Sequence, residues 1–531
     1  MSNHYGYYEY VESNGIKLFT LVMLPEKDGK FPVVVNRSPY VDTLEDKNED
    51  DIVSGFLGAH KEWLNSGFAM IFQHCRGRGK SEGDCIPYIN EREDGLNLLD
   101  WIRKSSFYNG EIFLFGGSYT TSVHYVTHPF ADDIKGAVFG VQDSERYNIC
   151  YRNGVLKKKL HASWYVGQYK KKSHLPLNMK SDSFEMLPLK NFSKTVFGEN
   201  AEDFDLLLTA PDRENAYWNT RYGGNDARGA TENVNFPILF TTGFYDIYTG
   251  GIFDMWNKMS EKSRKMSALV VSPYDHGDSF DENDSIAFPN GKRLEAFGNR
   301  HLLEWFEYVR GVRENSPVKQ GLVTYYTLFE NQWKTDSFHT ADKQLEIKLG
   351  EGSVTYRYDP DDAPRFKGGL SNNFGGSHFE NPPFQREDIV TVYTDAFSED
   401  VLVKGKMKAR LTVKSDCEDT GFYVRISIAK KDGDFGLRND ITSICYQHKD
   451  YIPDSFVTLD FSFDEHAFLI KKGEKLRIDI SSADNENFVR HTNVKGLYSE
   501  IEYTKIANNT ICLDKSYLVI PADSKRVIDN G

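Results

Sequence analysis

Cysteine is scarce in this sequence: six occur, and no two form a Cys-x-x-Cys pair. So few cysteines in 531 residues exclude the dense disulfide framework of small secreted domains. The N-terminus does not combine a basic start with an apolar core, as a signal peptide does. No apolar run approaches the roughly 18 residues of a membrane span. We therefore expect a cytoplasmic protein with no membrane contact.

Basic residues are also fewer than acidic ones: there are 64 Lys and Arg and 78 Asp and Glu, which give a formal net charge of −14. A nucleic-acid-binding protein needs a basic face, so we expect no nucleic-acid partner. The phosphate-binding pattern G-x-x-x-x-G-K-S/T is missing. His124 and His128 have the spacing of zinc ligands on a helix, but the Glu of an HExxH site is missing between them, and we expect no metal there.

The first part of the chain does contain short apolar runs that alternate with helical patterns. Residues 31–35, 67–73 and 111–115 have the continuous apolar character of strands buried on both faces. Residues 90–104 have an apolar stripe and an acidic first turn, which predict a helix. A turn at Ser13-Asn14-Gly15 between two β-rich runs predicts an N-terminal hairpin. The alternation of strands and helices predicts a parallel α/β sheet.

This pattern stops near residue 144 and resumes with strands at 236–241 and 268–272 and a helix at 293–309. From about residue 313 the apolar period becomes two, with turn residues between the runs, which predicts an all-β sandwich of the jelly-roll type. Its eight expected strands are 323–328, 344–349, 390–393, 407–413, 422–429, 457–463, 475–481 and 511–520. We therefore expect an α/β core in 1–144 and 233–312, a mostly helical insertion in 145–232, and a β-sandwich in 313–531.

A candidate nucleophile lies in the segment 110–121. The strand 111–115 is followed by Gly116 and Gly117, then Ser118, then a helical segment, which is the order of a nucleophile elbow. Such a turn exposes the serine hydroxyl and directs the N–H of Tyr119 towards a developing oxyanion. The alternative is an ordinary strand-to-helix turn in which serine caps the helix.

Two further polar residues follow separate predicted strands, in the chain order Ser, Asp, His of α/β-hydrolases. Asp246 follows the strand 236–241, and His276 follows the strand 268–272. His276 would take the proton of Ser118, and Asp246 would orient and stabilise its imidazole. Each could instead be a loop residue satisfied by its own backbone. Asp275 is a competing acid, but a direct neighbour has little room to point back at His276.

An oxyanion needs a second donor besides the N–H of Tyr119. Tyr40 follows the strand 31–35, which a parallel sheet can place beside the elbow. Its hydroxyl is a candidate donor, and the alternative role is that of an aromatic side chain at the rim of a pocket.

Several segments spread along the chain have the residues of a known family's motifs: 36–40, 67–83, 91–102, 109–119, 243–246, 303–311, 358–369 and 386–388. By these segments the chain resembles, over nearly its whole length, the cocaine-esterase-like CocE/NonD family of serine hydrolases, which is related to the X-Pro dipeptidyl-peptidases. In the family, the tyrosine at the position of Tyr40 lends its hydroxyl to the oxyanion hole. Two departures are Thr120 and Thr121, where glycine is expected after the serine, and a third is Cys75, where the family often has Asp.

The resemblance implies an α/β-hydrolase core, an inserted helical cap and a C-terminal jelly-roll domain, with no cofactor. It also implies hydrolysis of an ester or amide through a Ser-His-Asp triad and an acyl-enzyme, on a carboxylic- or amino-acid ester. An X-Pro dipeptidyl-peptidase is the alternative activity, and it would need acidic residues for a substrate ammonium, for which Asp143 and Glu145 are the candidates.

A binding protein with a glycan-binding jelly roll and an idle core is the alternative of another class. The expected partner is a small ester, amide or short peptide, and a homodimer is left open.

Overall fold

The structure, a computed structural model, describes residues 4–169, 183–219, 227–279, 288–368, 379–380, 386–431 and 433–522. Two stretches of the predicted helical insertion, 170–182 and 220–226, lie outside the described residues. None of the helices in the described ranges has the length and apolar character needed to cross a membrane.

Strands and helices alternate up to residue 336. The strands are β1 (Tyr5–Ser13), β2 (Ile16–Leu24), β3 (Phe31–Ser38), β4 (Ala69–His74), β5 (Tyr108–Gly117), β6 (Ile134–Gly140), β7 (Tyr151–Arg152), β8 (Val155–Leu156), β9 (Ile238–Gly243), β10 (Ala268–Ser272), β11 (Val323–Thr327) and β12 (Gln332–Asp336). The helices are α1 (Glu49–Ala59), α2 (Lys61–Asn65), α3 (Glu91–Lys104), α4 (Tyr119–Tyr125), α5 (Arg146–Cys150), α6 (Ser163–Gln168), α7 (Phe192–Val196), α8 (Glu202–Leu208), α9 (Thr249–Lys258), α10 (Glu261–Met266), α11 (Arg293–Phe297) and α12 (His301–Val309).

A ten-stranded sheet in the order β1-β2-β4-β3-β5-β6-β9-β10-β11-β12 forms the α/β core. From β4 to β11 in this order, each strand is parallel to the next. Val33, Val34 and Val35 of β3 are at most 1% exposed, as expected for an apolar strand that is covered on both faces. Because parallel strands all end at the same edge, the residues that follow β5, β9 and β10 come together there.

The predicted N-terminal hairpin is confirmed. β1 pairs antiparallel with β2, and Ser13 is opposite Ile16 in the register. Asn14 and Gly15 between them have φ of 51° and 78°. Two successive positive φ angles are typical of the tight hairpin turns whose twist matches that of the strands.

The helix predicted over 90–104 is confirmed as α3, which begins at Glu91. A second helix prediction needs correction. The helix predicted over 293–309 is two helices, α11 and α12, because the chain turns at Gly298, which has φ of 81°. A left-handed residue cannot continue a right-handed helix, and glycine adopts it without a Cβ clash.

The described residues of the C-terminal part form an antiparallel β domain with two main sheets and a short α-helix. Its elements are β13 (Lys343–Lys348), β14 (Ser353–Tyr358), β15 (Phe379–Glu380), β16 (Val390–Tyr393), β17 (Val401–Gly405), β18 (Lys408–Ser415), β19 (Gly421–Lys430), β20 (Gly433–Ser443), α13 (Ile444–Gln447), β21 (Val457–Ser462), β22 (His466–Ile470), β23 (Lys475–Ser481) and β24 (Ala507–Ala522). One sheet has the order β21-β18-β24-β17-β22 with β13 and β14 also on β24, and the other has the order β15-β20-β19-β23-β16.

The first strand predicted for the β-sandwich belongs instead to the ten-stranded sheet of the α/β core. The run 323–328 contains β11, which pairs in parallel with β10 of the α/β core. Just beyond it, the N–H of Leu328 donates to the carbonyl of Ala467 at 3.0 Å, and the N–H of Leu469 donates back at 2.9 Å. Leu328 therefore links the core sheet directly to β22 of the β domain.

The helical insertion contacts the β domain through buried charges. Arg152 Nε donates to Asp440 at 2.7 Å, and its Nη1 lies 3.1 Å from Asp464. Both carboxylates are nearly inaccessible to water, and they hold the pKa of Arg152 above its usual value against the opposing effect of burial. Paired charges of this kind fix the insertion and the β domain relative to each other, since separating them would leave a charge buried alone.

The two histidines with zinc-ligand spacing are both buried in the core. His124 Nε2 lies 3.2 Å from the carbonyl oxygen of Phe115, and the ring of His128 packs against Phe139 and Phe236, with centroids 5.8 and 5.5 Å away. Burial lowers the pKa of each to about 3. The described ranges contain no group of three or more His, Cys, Asp or Glu side chains arranged to hold a metal.

We predict that His128→Phe makes the fold less sensitive to acid. An unfolded chain protonates His128 near pH 6.5, whereas the folded protein does so only near pH 3. The unfolded state therefore binds more protons, and stability is lost as the pH falls from about 6.5 towards 3. The unfolding midpoint, measured by calorimetry at about pH 7 and pH 5, should fall less in His128→Phe than in the wild type. The neighbouring Phe139→Leu, which adds and removes no titratable group, should shift both midpoints equally. An unchanged pH dependence in His128→Phe would contradict the prediction.

Candidate active site

Ser118 lies at a sharp turn between β5 and α4, with φ of 57° and ψ of −132°. This backbone conformation is strained for a residue with a Cβ and is typical of functional turns. A Cβ on Gly116 would overlap the carbonyl of Thr120, so glycine is required there. A Cβ on Gly117 would meet only Val141 Cγ2 at 3.8 Å. Of the two glycines that precede Ser118, only Gly116 is therefore required by the packing of the turn.

The two threonines that follow the elbow bond to the backbone around it. Thr120 Oγ1 donates to the carbonyl of Gly117 at 2.8 Å and accepts from its N–H at 2.7 Å. Thr121 Oγ1 donates to the carbonyl of Gly140 at 3.1 Å and accepts from its N–H at 3.2 Å. The threonine hydroxyls thus hold the first turn of α4 against the ends of β5 and β6.

Asp246 and His276 meet at the edge of the sheet where β9 and β10 end. His276 Nδ1 lies 3.1 Å from Asp246 Oδ2. Asp246 is fully buried, and its other oxygen accepts from the N–H of Tyr248 at 2.8 Å. The pair has the geometry in which a carboxylate orients an imidazole and leaves Nε2 to exchange protons.

Asp275, the competing acid, turns towards its own loop. Its Oδ1 accepts from the N–H of Gly277 at 3.0 Å, and burial raises its pKa to about 6. Asp246 is therefore the carboxylate that the structure places on His276.

Tyr40 reaches the elbow from the end of β3. Its hydroxyl interacts with the hydroxyl of Ser118, the side chain of Trp164 and the backbone of Tyr119. The residue as a whole is 47% exposed, but its hydroxyl end is buried. This burial raises the pKa of Tyr40, although the hydrogen bonds of the hydroxyl oppose the rise. The hydroxyl therefore stays protonated at neutral pH, beside the serine and the amide that would bind an oxyanion.

An aromatic wall surrounds this group of side chains. The ring of Tyr119 lies 4.9 Å from that of Tyr88 and 5.4 Å from that of Trp164, and the ring of Tyr248 lies 5.6 Å from His276. Tyr248 also interacts electrostatically with Tyr40, so the five predicted residues and these aromatic rings share one region. The sequence offered no signal for Tyr88, Trp164 or Tyr248, because none belongs to a periodic pattern or an expected motif.

A buried polar network holds the hydroxyl end of Tyr119 in place. Its hydroxyl donates to Glu91 Oε1 at 2.7 Å and accepts from the N–H of Tyr88 at 2.7 Å. Glu91 pairs with Arg37 at 2.9 Å, and Arg37 lies 3.8 Å from Asp94. The sequence indicated Glu91 and Asp94 as acidic residues of a helix start and as part of the segment 91–102 that carries the resemblance, whereas in the fold they belong to the network that anchors the residue after the candidate nucleophile.

The acidic residues considered for a substrate ammonium are already engaged. Glu145 forms ion pairs with Arg213 and Arg228, the former through Nη2 at 2.7 Å. Asp143 accepts from the N–H of Glu145 at 2.8 Å, and burial raises its pKa to about 6. The structure therefore leaves Glu145 little capacity to neutralise a further cation.

Comparisons with known proteins agree with this architecture. Residues 14–278 match the family described as X-Pro dipeptidyl-peptidase (S15 family), and residues 330–518 match the X-Pro dipeptidyl-peptidase C-terminal non-catalytic domain. The cocaine esterase of Rhodococcus sp. (strain MB1 Bresler) is 23% identical over an alignment 542 positions long, which covers 91% of each chain.

Two solved structures share the fold over 98% of this chain and 97% of their own. The aminopeptidase of a marine sediment archaeon, Thaumarchaeota archaeon, superposes with a TM-score of 0.81 at 15% identity. An alpha-amino acid ester hydrolase superposes with a TM-score of 0.78 at 16% identity. From the two family matches, which together span most of the chain, and the full-length relative, we conclude that the chain belongs to the cocaine-esterase-like CocE/NonD family of serine hydrolases, which is related to the X-Pro dipeptidyl-peptidases.

Proposed function

We propose that this hydrolase cleaves a carboxylic- or amino-acid ester through a triad of Ser118, His276 and Asp246. The observation that carries the proposal is the contact of His276 Nδ1 with the buried Asp246, which leaves Nε2 to exchange protons at the sheet edge where Ser118 also lies. A strained serine with an oxyanion donor beside it, near a buried Asp-His pair 3.1 Å apart, has the parts that acyl transfer requires.

The proposed reaction has two halves. Ser118 Oγ attacks the substrate carbonyl carbon as His276 Nε2 takes the hydroxyl proton, and the carbonyl oxygen becomes an oxyanion. The Tyr40 hydroxyl and the Tyr119 N–H donate to that oxyanion, and Asp246 stabilises the imidazolium. The oxyanion collapses, the C–O bond to the alcohol breaks, and His276 gives its proton to the leaving oxygen. Water then attacks the acyl-enzyme with His276 as base, which releases the acid and restores Ser118.

An ester fits the surroundings better than a peptide with a free N-terminus. A dipeptidyl-peptidase must bind an ammonium group, and Glu145 is already paired with two arginines. The aromatic wall of Tyr88, Trp164 and Tyr248 offers apolar surface to an acyl group instead. The X-Pro dipeptidyl-peptidase activity is the second candidate, and the match of residues 14–278 to that family supports it.

We predict that Ser118→Ala abolishes both hydrolysis and labelling by a fluorophosphonate probe. The variant loses the nucleophile, and a loss of kcat on the order of 10⁶ is expected for a triad serine. Gel fluorescence with the probe and an ester assay measure the two effects. Ser122→Ala, which changes a serine one turn further along α4, should keep the labelling. A labelled Ser118→Ala would assign the nucleophile to another residue.

We predict that Tyr40→Phe lowers kcat by roughly 10²-fold, the scale of one oxyanion donor, with little change in KM. Because the pKa of Tyr40 is raised, the wild type should lose no activity through ionisation of this phenol at neutral or mildly alkaline pH. The matched control is Tyr151→Phe, which removes a buried hydroxyl that donates to Leu207 in the insertion, and its kcat should stay close to that of the wild type. An unchanged kcat in Tyr40→Phe would remove Tyr40 from the mechanism.

We predict that a panel of acyl esters and Xaa-Pro amides, assayed side by side, shows higher kcat/KM for the esters. Glu145→Gln should leave the ester KM nearly unchanged, because the carboxylate serves Arg213 and Arg228. A preference for the Xaa-Pro amides, together with a raised amide KM in Glu145→Gln, would favour the dipeptidyl-peptidase instead.

A further inference from the structure

The loop that carries Asp246 packs against the β domain as well as the core. Its neighbour Tyr245 is fully buried, and the Tyr245 hydroxyl donates to the carbonyl of Gly436 in β20 at 2.9 Å. His466 at the start of β22 contacts the same hydroxyl through Nε2 at 3.2 Å. Two strands from different sheets of the β domain therefore converge on the phenolic oxygen of the residue that precedes the candidate acid in the chain.

The hydrogen bonds around His466 define its tautomer. The N–H of Ala467 donates to His466 Nδ1 at 3.0 Å, so Nδ1 is an acceptor and carries no proton. Burial and the nearby Arg438 lower the pKa of His466 well below its usual value, so the ring is neutral. Its proton is then on Nε2 and is donated to the Tyr245 oxygen, which in turn donates to Gly436. The donor and acceptor roles therefore run in one direction, from His466 through Tyr245 to Gly436.

Close packing around these hydrogen bonds restricts the loop that carries Asp246. The ring of His466 lies 4.8 Å from that of Phe244 and 5.4 Å from that of Tyr245. The guanidinium of Arg438 lies 5.6 Å from the Tyr245 ring, and the Asp464 carboxylate lies against Gly250 in the first turn of α9, where a Cβ would overlap it. The β domain thus contacts the chain both before and after Asp246.

The other side of the loop is bound to the loop that carries His276. The N–H of Phe244 donates to the carbonyl of Ser272 at 2.9 Å, and the N–H of Tyr245 donates to the carbonyl of Tyr274 at 3.0 Å. A displacement of Tyr245 would therefore change the separation of Asp246 and His276 directly.

We infer that Tyr245 and His466 are positioning residues that hold Asp246 in place for His276, so that the β domain helps to set the catalytic geometry. This inference rests on the proposed triad. Neither side chain touches a reacting atom; both act through the backbone next to Asp246. A misplacement of about 1 Å in a catalytic group can lower a rate by roughly 10²-fold, so the effect is measurable.

The test uses Tyr245→Phe in the full-length protein, which removes the bridging oxygen and keeps the ring. We expect kcat for an ester to fall roughly 10- to 100-fold with KM nearly unchanged. We also expect the low-field proton NMR signal of the His276 Nδ1–H in the wild type to shift or broaden in the variant. The matched control is Tyr356→Phe, which removes a buried hydroxyl bonded to Ser482 elsewhere in the β domain and should change neither reading.

A second pair of variants keeps the test decisive if Tyr245→Phe does not fold. His466→Gln retains a donor for Tyr245 and should keep most of kcat, whereas His466→Leu removes the donor and should lose it. Equal kcat and an equal NMR signal in Tyr245→Phe and Tyr356→Phe, or equal kcat in the two His466 variants, would overturn the inference.

Asp246→Asn, assayed alongside, distinguishes a wrong triad from a wrong positioning role. If Asp246→Asn is fully active, the triad itself is wrong; if it is inactive while Tyr245→Phe is active, only the positioning role is wrong.

Discussion

The conformation of Ser118 is the constraint on which much of the surrounding structure depends. A residue with a Cβ in this region of φ and ψ costs on the order of 1–3 kcal/mol. The sheet supplies the compensation: the N–H of Ser118 donates to the carbonyl of Gly140 at 2.9 Å, and its own carbonyl accepts from the N–H of Thr121 at 2.8 Å. Because the Thr121 hydroxyl also bonds to Gly140, the strained turn is fastened to β6 at two points. The strain is therefore held by the neighbouring strand as well as by the turn.

Buried charge provides the second layer of support. Arg37 and Asp94 are at most 1% exposed, and Glu91 is 6% exposed. An unpaired charge at such positions would be strongly destabilising, but Arg37 lies between both carboxylates and Arg76 pairs with Asp94 at 2.6 Å. The same network ends at the Tyr119 hydroxyl. Satisfying these charges fixes Tyr119 to α3, and with it the amide that faces Tyr40.

Much of this arrangement could be predicted from the sequence because it follows from local patterns. Continuous apolar runs marked the parallel strands, and polar residues at the ends of three of them, Ser118, Asp246 and His276, were expected to meet at one edge of a sheet. The predicted hairpin needed only a turn motif. The break at Gly298 was missed because a single glycine is compatible with a helix until tertiary contacts decide its φ.

What could not be predicted depends on partners that are distant in the chain. β20 is buried along its whole length although it contains Arg438, Asn439 and Asp440. The sequence of β20 has no apolar pattern. Its charged side chains are satisfied only after folding, by Arg152 of the insertion and by backbone carbonyls at residues 464 and 465. The eight expected strands of the sandwich did not include it for that reason. Two residues of the aromatic wall, Tyr88 and Trp164, were missed for the same reason. Their positions are set by the packing of a loop and the insertion.

The polar character of β20 also bears on how the three parts of the chain work together. Interfaces between domains within one chain commonly allow relative motion. Here the interface contains buried ion pairs and a directional chain of hydrogen bonds, both of which lose stability steeply when their geometry changes. An apolar interface of the same size would tolerate sliding, because apolar contacts have no preferred direction. A polar interface next to the Asp246 loop therefore favours one fixed arrangement of core, insertion and β domain, and the proposed triad, with its 3.1 Å contact between two loops, would require such an arrangement.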